Sequence, residues 1–230
     1  MSPEEILEAK LRVIDESHRL QPGRTALVVI DMQHGFLDEG ASLEVVAGRA
    51  IIPTIRSLVD AFRAKGAPVI FTEFVYADNV PCLRGDPFGV EHLPAKEGEP
   101  TGLEHPSSNC LIGPNAGEGV ESAKTVEELA PLPGELVVQG HTYDKFYGTP
   151  LDLSLRSQGI THLAATGITT DVCVSGTVIS GTTRDYRVTL CTDGVASPFP
   201  DLHEAALKLL AHKFARLKTS EKLIEELTAF

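Results

Sequence analysis

Two residues at two strand ends carry most of the chemistry legible in this sequence. The first is a thiol. In Thr166-Gly167-Ile168-Thr169-Thr170-Asp171-Val172-Cys173-Val174 an apolar, strand-like run ends at a glycine and a polar turn, and Cys173 opens a segment that reads as helix. A thiol at a helix N-terminus sits beside unpaired backbone N–H groups and the positive end of the helix dipole, and both favour thiolate. The same N–H groups suit the oxyanion formed when that thiolate attacks a carbonyl. A cysteine is equally often a small buried hydrophobe. The second residue is Asp31, which closes the apolar run Ala26-Leu27-Val28-Val29-Ile30. Such runs suit strands buried on both faces of a parallel sheet, and ligands gather at the carboxyl ends of those strands. Aspartate also suits a helix N-cap. One strand end delivering an acid and another leading into a thiol favour nucleophilic catalysis with a general base.

The elements that must position these residues alternate. After the first strand come a helix over 46–65, a strand over 67–71, a short helix over 125–129 and a strand over 135–139. A helix over 149–157, a strand over 161–166, the helix from Cys173 to Thr183 and a strand over 187–191 follow. A helix over 202–214, a short strand over 215–218 and a last helix from Ser220 complete the series. This order predicts a three-layer α/β/α fold with a mostly parallel six-stranded sheet. With 230 residues and 42% hydrophobic content, 1–230 reads as a single domain. Residues 76–121 interrupt the rhythm with repeated proline and glycine, and read as a long loop insertion that selects substrate or meets another subunit.

Composition narrows the function classes. The formal charge is −12 and no Lys/Arg-rich cluster occurs, which argues against nucleic acid as a partner. No apolar run is long enough to span a bilayer. The acidic, amphipathic first residues do not read as a signal peptide, so a cytoplasmic location is expected. Cys82, Cys110, Cys173 and Cys191 are scattered, without a C-x-x-C pair, and the histidines form no H-E-x-x-H pattern. No metal is expected. No glycine-rich phosphate loop follows the first strand, so no nucleotide cofactor is expected either.

Taken in order, several blocks resemble the isochorismatase-like cysteine hydrolases, a superfamily that includes nicotinamidases, N-carbamoylsarcosine amidase, ureidoacrylate amidohydrolase and biuret hydrolase. The blocks are Ala26 to Gln33, Pro131-Leu132-Pro133-Gly134-Glu135, Phe146-Tyr147-Gly148-Thr149-Pro150-Leu151-Asp152, Gly167 to Val174, and Asp193-Gly194-Val195-Ala196-Ser197 with His203 beyond. The Gly167–Val174 segment looks especially like biuret hydrolase. The resemblance implies a cofactor-independent amidohydrolase that cleaves a C–N bond of a small amide or ureide through a Cys173 thioester. Asp31 would be the general base, and backbone N–H groups of Thr169 and Cys173 the oxyanion hole. A non-proline cis peptide at Ile168–Thr169, pocket-mouth positions for Gln33 and Phe36, and a homodimer or homotetramer are implied as well. Tyr147 and Arg84 are further substrate contacts to weigh. His203 reads as structural, Asp171 as a helix cap and Glu73 as a solvated carboxylate.

The chain departs from the family at one position. The family's catalytic lysine stands nine residues before the threonine matched by Thr149, and here that position is Gly140. Without a cation, Asp31 and a Cys173 thiolate repel each other. Three explanations remain open: Lys145 enters the site from the same loop, His141 supplies the proton or charge, or the chain is a weakened or inactivated relative, natural or engineered. A binding protein that keeps the pocket but not the chemistry is the alternative class. An isochorismatase acting on a vinyl ether is disfavoured by Cys173, because such relatives typically lack the thiol. The family's nicotinamidase-type metal site, an Asp-x-His pattern, has no counterpart after Thr72.

Overall fold

The computed structural model describes residues 1–41, 44–75, 110 and 119–229. Helix α1 (Pro3–Ser17) opens the chain, started by a capping box in which the Ser2 side chain and the Glu5 side chain each bond the other's backbone N–H. Strand β1 (Thr25–Ile30) is buried along its whole length, as an apolar run without alternation demands in a sheet covered on both faces. Helices α2 (His34–Leu37), α3 (Val46–Ala50) and α4 (Ile52–Ala64) lead to strand β2 (Val69–Phe74). Helix α5 (Gly119–Ser122) and a 3₁₀ turn at Glu127–Leu129 precede β3 (Leu136–Gly140). Then come α6 (Leu151–Ser157), β4 (His162–Ile168), a π-helical turn at Thr170–Val174 and α7 (Ser175–Thr183). The chain continues with β5 (Arg187–Ala196), α8 (Pro200–Lys213), β6 (Arg216–Lys218) and α9 (Ser220–Thr228).

The six strands form one sheet in the order β3-β2-β1-β4-β5-β6, every neighbour parallel. The chain builds outward from β1 through β2 to β3, then returns to lay β4 on the other side of β1. The carboxyl ends of β1 and β4 therefore flank the point where strand order reverses, where a crevice opens in sheets of this type. Gly167 permits this contact: its φ is 120°, and a Cβ there would overlap the Ile30 carbonyl oxygen.

Successive β1 side chains go to opposite faces. Leu27 and Val29 join Ile55, Leu58, Val59 and Phe62 of α4 and Leu223 and Leu227 of α9. Ala26, Val28 and Ile30 join Leu151 and Leu155 of α6, Val178 of α7 and Leu210 of α8. On α4 the spacing i, i+3, i+4, i+7 puts all four apolar residues on one stripe. The architecture is three-layer α/β/α, in agreement with the sequence.

Local differences have physical causes. The helix expected over 46–65 is broken at Ile51, because Pro53 lacks an N–H and can occupy only a first turn. Strand β2 runs to Phe74 instead of Phe71, since Glu73 and Phe74 pair with Gln139 and Gly140 of β3. Strand β5 continues past Cys191 to Ala196, because a register shift between Ala165 and Gly167 lets its later residues rejoin β4. Most of the 76–121 insertion lies outside the described residues. Its final residues form α5, and Cys110 is buried beside Phe74, Val75 and Ala123.

Candidate active site

Asp31 is the first residue beyond β1, and its φ of 52° turns the backbone out of the strand. The Asp31 side chain is shielded from solvent, at 1% exposed. Its N–H donates to the Thr72 carbonyl (3.1 Å), and its Oδ1 accepts from Thr72 Oγ1 (2.6 Å). Thr72 reaches it because β1 and β2 pair with Ile30 opposite Thr72.

The other carboxylate oxygen meets a cation. Lys145 Nζ lies 2.7 Å from Asp31 Oδ2, and both side chains are 1% exposed. Nζ also donates to the Thr142 carbonyl (2.9 Å) and stands 5.0 Å from the centre of the Phe74 ring. Burial alone pushes this ammonium toward its neutral form. The negative charge of Asp31, and then that of Cys173 when ionised, outweigh that, so its pKa lies above the ordinary lysine value. The loop that carries Lys145 is fastened on both sides. Thr149 Oγ1 donates to the Lys145 carbonyl (2.5 Å), and Asp144 accepts from the Phe146 N–H (2.8 Å) and Ser180 Oγ (2.7 Å).

Cys173 lies in the π-helical turn, so the helix expected to open at this residue begins earlier, at Thr170, and becomes α-helical only at Ser175. Turns of this kind often mark functional sites. The Ile168–Thr169 peptide entering it is cis. The Thr169 carbonyl accepts the N–H groups of Val172 (3.2 Å) and Val174 (3.1 Å), which holds the turn tight. Thr170 Oγ1 and His203 Nδ1 are 2.8 Å apart, tying α8 to the turn, in line with a structural His203. The other described thiols are held protonated. Burial and then Asp31 push the Cys110 thiol up, and burial with Asp193 does the same to Cys191.

Asp31 and Cys173 face one cavity of about 270 Å³. Its walls are largely apolar, from Phe36, Val45, Phe74, Tyr143, Ile168 and Phe199, with Thr169, Glu44 and Asp171 adding polar groups. Apolar walls with a few convergent polar groups are the usual form of a small-molecule site.

The other sequence-derived residues divide. Phe36 lines the cavity. Gln33 is fully buried and spent on structure: its amide bonds the Phe74 carbonyl (2.9 Å), the Ala123 carbonyl (2.8 Å) and the Phe74 N–H (2.7 Å). Tyr147 is 54% exposed and is not among the lining residues. Gly140 ends β3, and a Cβ there would sit 3.1 Å from the Thr149 methyl. His141 packs its ring against Phe74, 4.9 Å between centres. Arg84 lies outside the described residues.

Two sequence expectations are corrected. Glu73 is buried, not solvated, and accepts from the Thr125 N–H (2.9 Å), Thr125 Oγ1 (3.1 Å) and Gln139 Nε2 (2.8 Å). Asp171 does not cap the turn: Thr169 is the capping residue, without a side-chain cap bond, and Asp171 Oδ1 is shielded yet has no hydrogen-bond partner among the described residues. Thr72, Phe74, Tyr143 and Phe199 were missed. Only Thr72 carried a signal, as a polar residue near the carboxyl end of a strand.

The family model described as the isochorismatase domain matches residues 25–222. The chain belongs to the isochorismatase family. Among relatives, it is 32% identical over 196 residues to ureidoacrylate amidohydrolase RutB of Enterobacter sp. (strain 638), covering 83% of each chain. Among solved structures, a cysteine hydrolase from Pseudomonas syringae pv. phaseolicola 1448A superposes with a TM-score of 0.71 at 23% identity, over 92% of this chain and 95% of that one. N-carbamoylsarcosine amidase from Thermoplasma acidophilum gives a TM-score of 0.65 at 25% identity, over 86% and 97%. This isochorismatase-family hydrolase has, among its described residues, no group of three or more His, Cys, Asp or Glu side chains placed to hold a metal. Among the same residues, no helix is long and apolar enough to cross a membrane.

Proposed function

We propose that this isochorismatase-family chain is a cofactor-independent cysteine amidohydrolase that cleaves a C–N bond of a small amide or ureide. The observation that carries this reading is the buried ion pair between Lys145 and Asp31, with Asp31 and Cys173 facing the same cavity. Relatives named for ureidoacrylate and N-carbamoylsarcosine support a carbamoyl-type substrate.

In this mechanism Asp31 takes the Cys173 proton, and Lys145 balances the negative charge that the pair would otherwise accumulate. The thiolate attacks the substrate carbonyl carbon. The resulting oxyanion lies at the Thr169 and Cys173 N–H groups. Collapse breaks the C–N bond, the proton held by Asp31 passes to the leaving nitrogen, and ammonia or an amine departs. Asp31 then draws a proton from water as its oxygen attacks the thioester, and the acid product leaves with the thiol restored.

Lys145 also bears on the inactivated-relative reading, whose basis was a lysine missing at Gly140. An ammonium 2.7 Å from Asp31 supports the active reading over the inactivated one, and turnover is expected. Ammonia release from a panel of amides and ureides, biuret included, tests the proposal. Turnover by the parent chain that disappears in Cys173→Ala supports it; undiminished release by Cys173→Ala overturns it.

A further inference from the structure

Lys145 reaches Asp31 although it stands beyond the end of β3, and one side chain accounts for that route. Phe74 is the last residue of β2, pairs with Gly140 across the sheet and is 3% exposed. The loop that leaves Gly140 then folds around its ring. His141 packs against the ring with 4.9 Å between centres, and Tyr143 stacks on it at 6.0 Å with planes 8° apart. Between these two, the Thr142 carbonyl accepts a hydrogen bond from Lys145 Nζ (2.9 Å). Nζ itself stands 5.0 Å from the ring centre, within reach of a cation–π contact. His141, Tyr143 and Lys145 therefore converge on one ring. The backbone of Phe74 is pinned in turn. Gln33 Oε1 accepts from its N–H (2.7 Å) and Gln33 Nε2 donates to its carbonyl (2.9 Å), while Phe36 packs on the ring at 6.3 Å.

We infer that Phe74 is a positioning residue: the lysine-bearing loop folds on its ring, and the ring steers the Lys145 ammonium onto Asp31. This rests on the amidohydrolase reading and deepens it by naming what places the cation. Attraction to Asp31 alone leaves the ammonium free to approach from several directions. The π face and the Thr142 carbonyl add two contacts to the Asp31 bond, and the three together fix where the charge sits. An aliphatic side chain of similar bulk fills the space but offers no negative face. Phe74 also lines the cavity, so a contact with substrate alone would show mainly in KM, whereas placement of Lys145 shows in kcat.

Phe74→Leu and Phe74→Tyr are compared with the parent chain by two readouts. The first is ammonia release, split into kcat and KM. The second is acetylation of Lys145 by a water-soluble succinimidyl acetate, followed by peptide mass spectrometry, with Lys208, 79% exposed, as internal control. Phe74→Leu is expected to lower kcat about 2- to 30-fold, the range of a cation–π contact, and to lose the protection of Lys145 while Lys208 reacts as before. Phe74→Tyr keeps a π face and should recover most of both. If the leucine variant misfolds, pentafluorophenylalanine incorporated at position 74 replaces it, since that ring keeps the shape and reverses the charge of the face. Parent-like kcat with Lys145 still protected overturns the inference. So does a change in KM alone, or a tyrosine variant as poor as leucine. Failure of the amidohydrolase reading shows separately, as no ammonia release from the parent chain, and the labelling result then decides the placement of Lys145 by itself.

Discussion

Lys145 Nζ reaches Asp31 Oδ2 at 2.7 Å from a position five residues beyond Gly140, where the sequence resemblance led us to expect a lysine. Replacing Lys145 by Met should lower ammonia release by about 100- to 1,000-fold, the usual cost of losing one electrostatic stabiliser. It should also lower stability, by about 3–5 kcal/mol, because Asp31 is left charged and buried. Kinetics and denaturant melts check both parts, and a variant with parent-like kcat would remove Lys145 from the mechanism.

Gly140→Lys should not raise activity. The ion pair already exists, and a second ammonium from β3 would compete with Lys145 for Asp31 while its Cβ crowds the Thr149 methyl at 3.1 Å. Equal or lower kcat/KM is expected. A gain of tenfold or more would mean that Lys145 does not serve in the parent chain.

Thr72→Val keeps shape but removes the donor to Asp31 Oδ1. Leaving a buried charged acceptor short of one bond costs about 1–3 kcal/mol, roughly a tenfold loss of rate for each 1.4 kcal/mol borne by the transition state. Thr72→Ser should restore most of the rate, since the hydroxyl returns. If the serine variant is as poor as the valine variant, Thr72 acts through packing and not through its hydrogen bond.

Stability should fall with acid before the carboxylates titrate. His18 is pushed down to about 4 by burial, with Arg187 and Arg216 adding to it, and His162 is lowered mainly by burial. Both are held neutral when folded and are free to charge when unfolded. Their contribution is complete above the ordinary histidine value of 6.5 and is lost as pH falls through it toward about 4. The melting temperature is expected to drop between pH 7 and 5, and His18→Gln should flatten that slope. A parent chain equally stable at both values would contradict the assignment.

What the sequence disclosed follows from which interactions are local. Asp31 and Cys173 were legible because an apolar run ending in a polar residue marks a strand end, and parallel sheets place ligands there. Lys145 was visible but undecided. Its place depends on how Thr142–Thr149 folds back, and that is fixed by bonds to α7, such as Asp144 to Ser180, that no periodicity encodes. Glu73 misled because its partners, Thr125 and Gln139, come from segments far along the chain. Asp171 misled for the opposite reason: a residue type favoured in caps stands near a helix start, while the cis peptide and π turn move the cap to Thr169. Thr72 required the β1–β2 register, which is a tertiary fact.

The adjacency of β1 and β4 sets when activity can appear. Asp31 leaves one strand, Cys173 follows the other, and the whole of β2, β3 and α6 lies between them in the chain. Parallel pairing across so long a separation carries a large loop-closure cost and is slow compared with helix formation. A chain that has regained its helices and outer strands still lacks a competent cavity until β1 and β4 zip together with Gly167 against Ile30. Turnover by the proposed mechanism would therefore report the least local strand pairing of the sheet, and recovered activity would certify a closed sheet in a way that recovered helical signal does not.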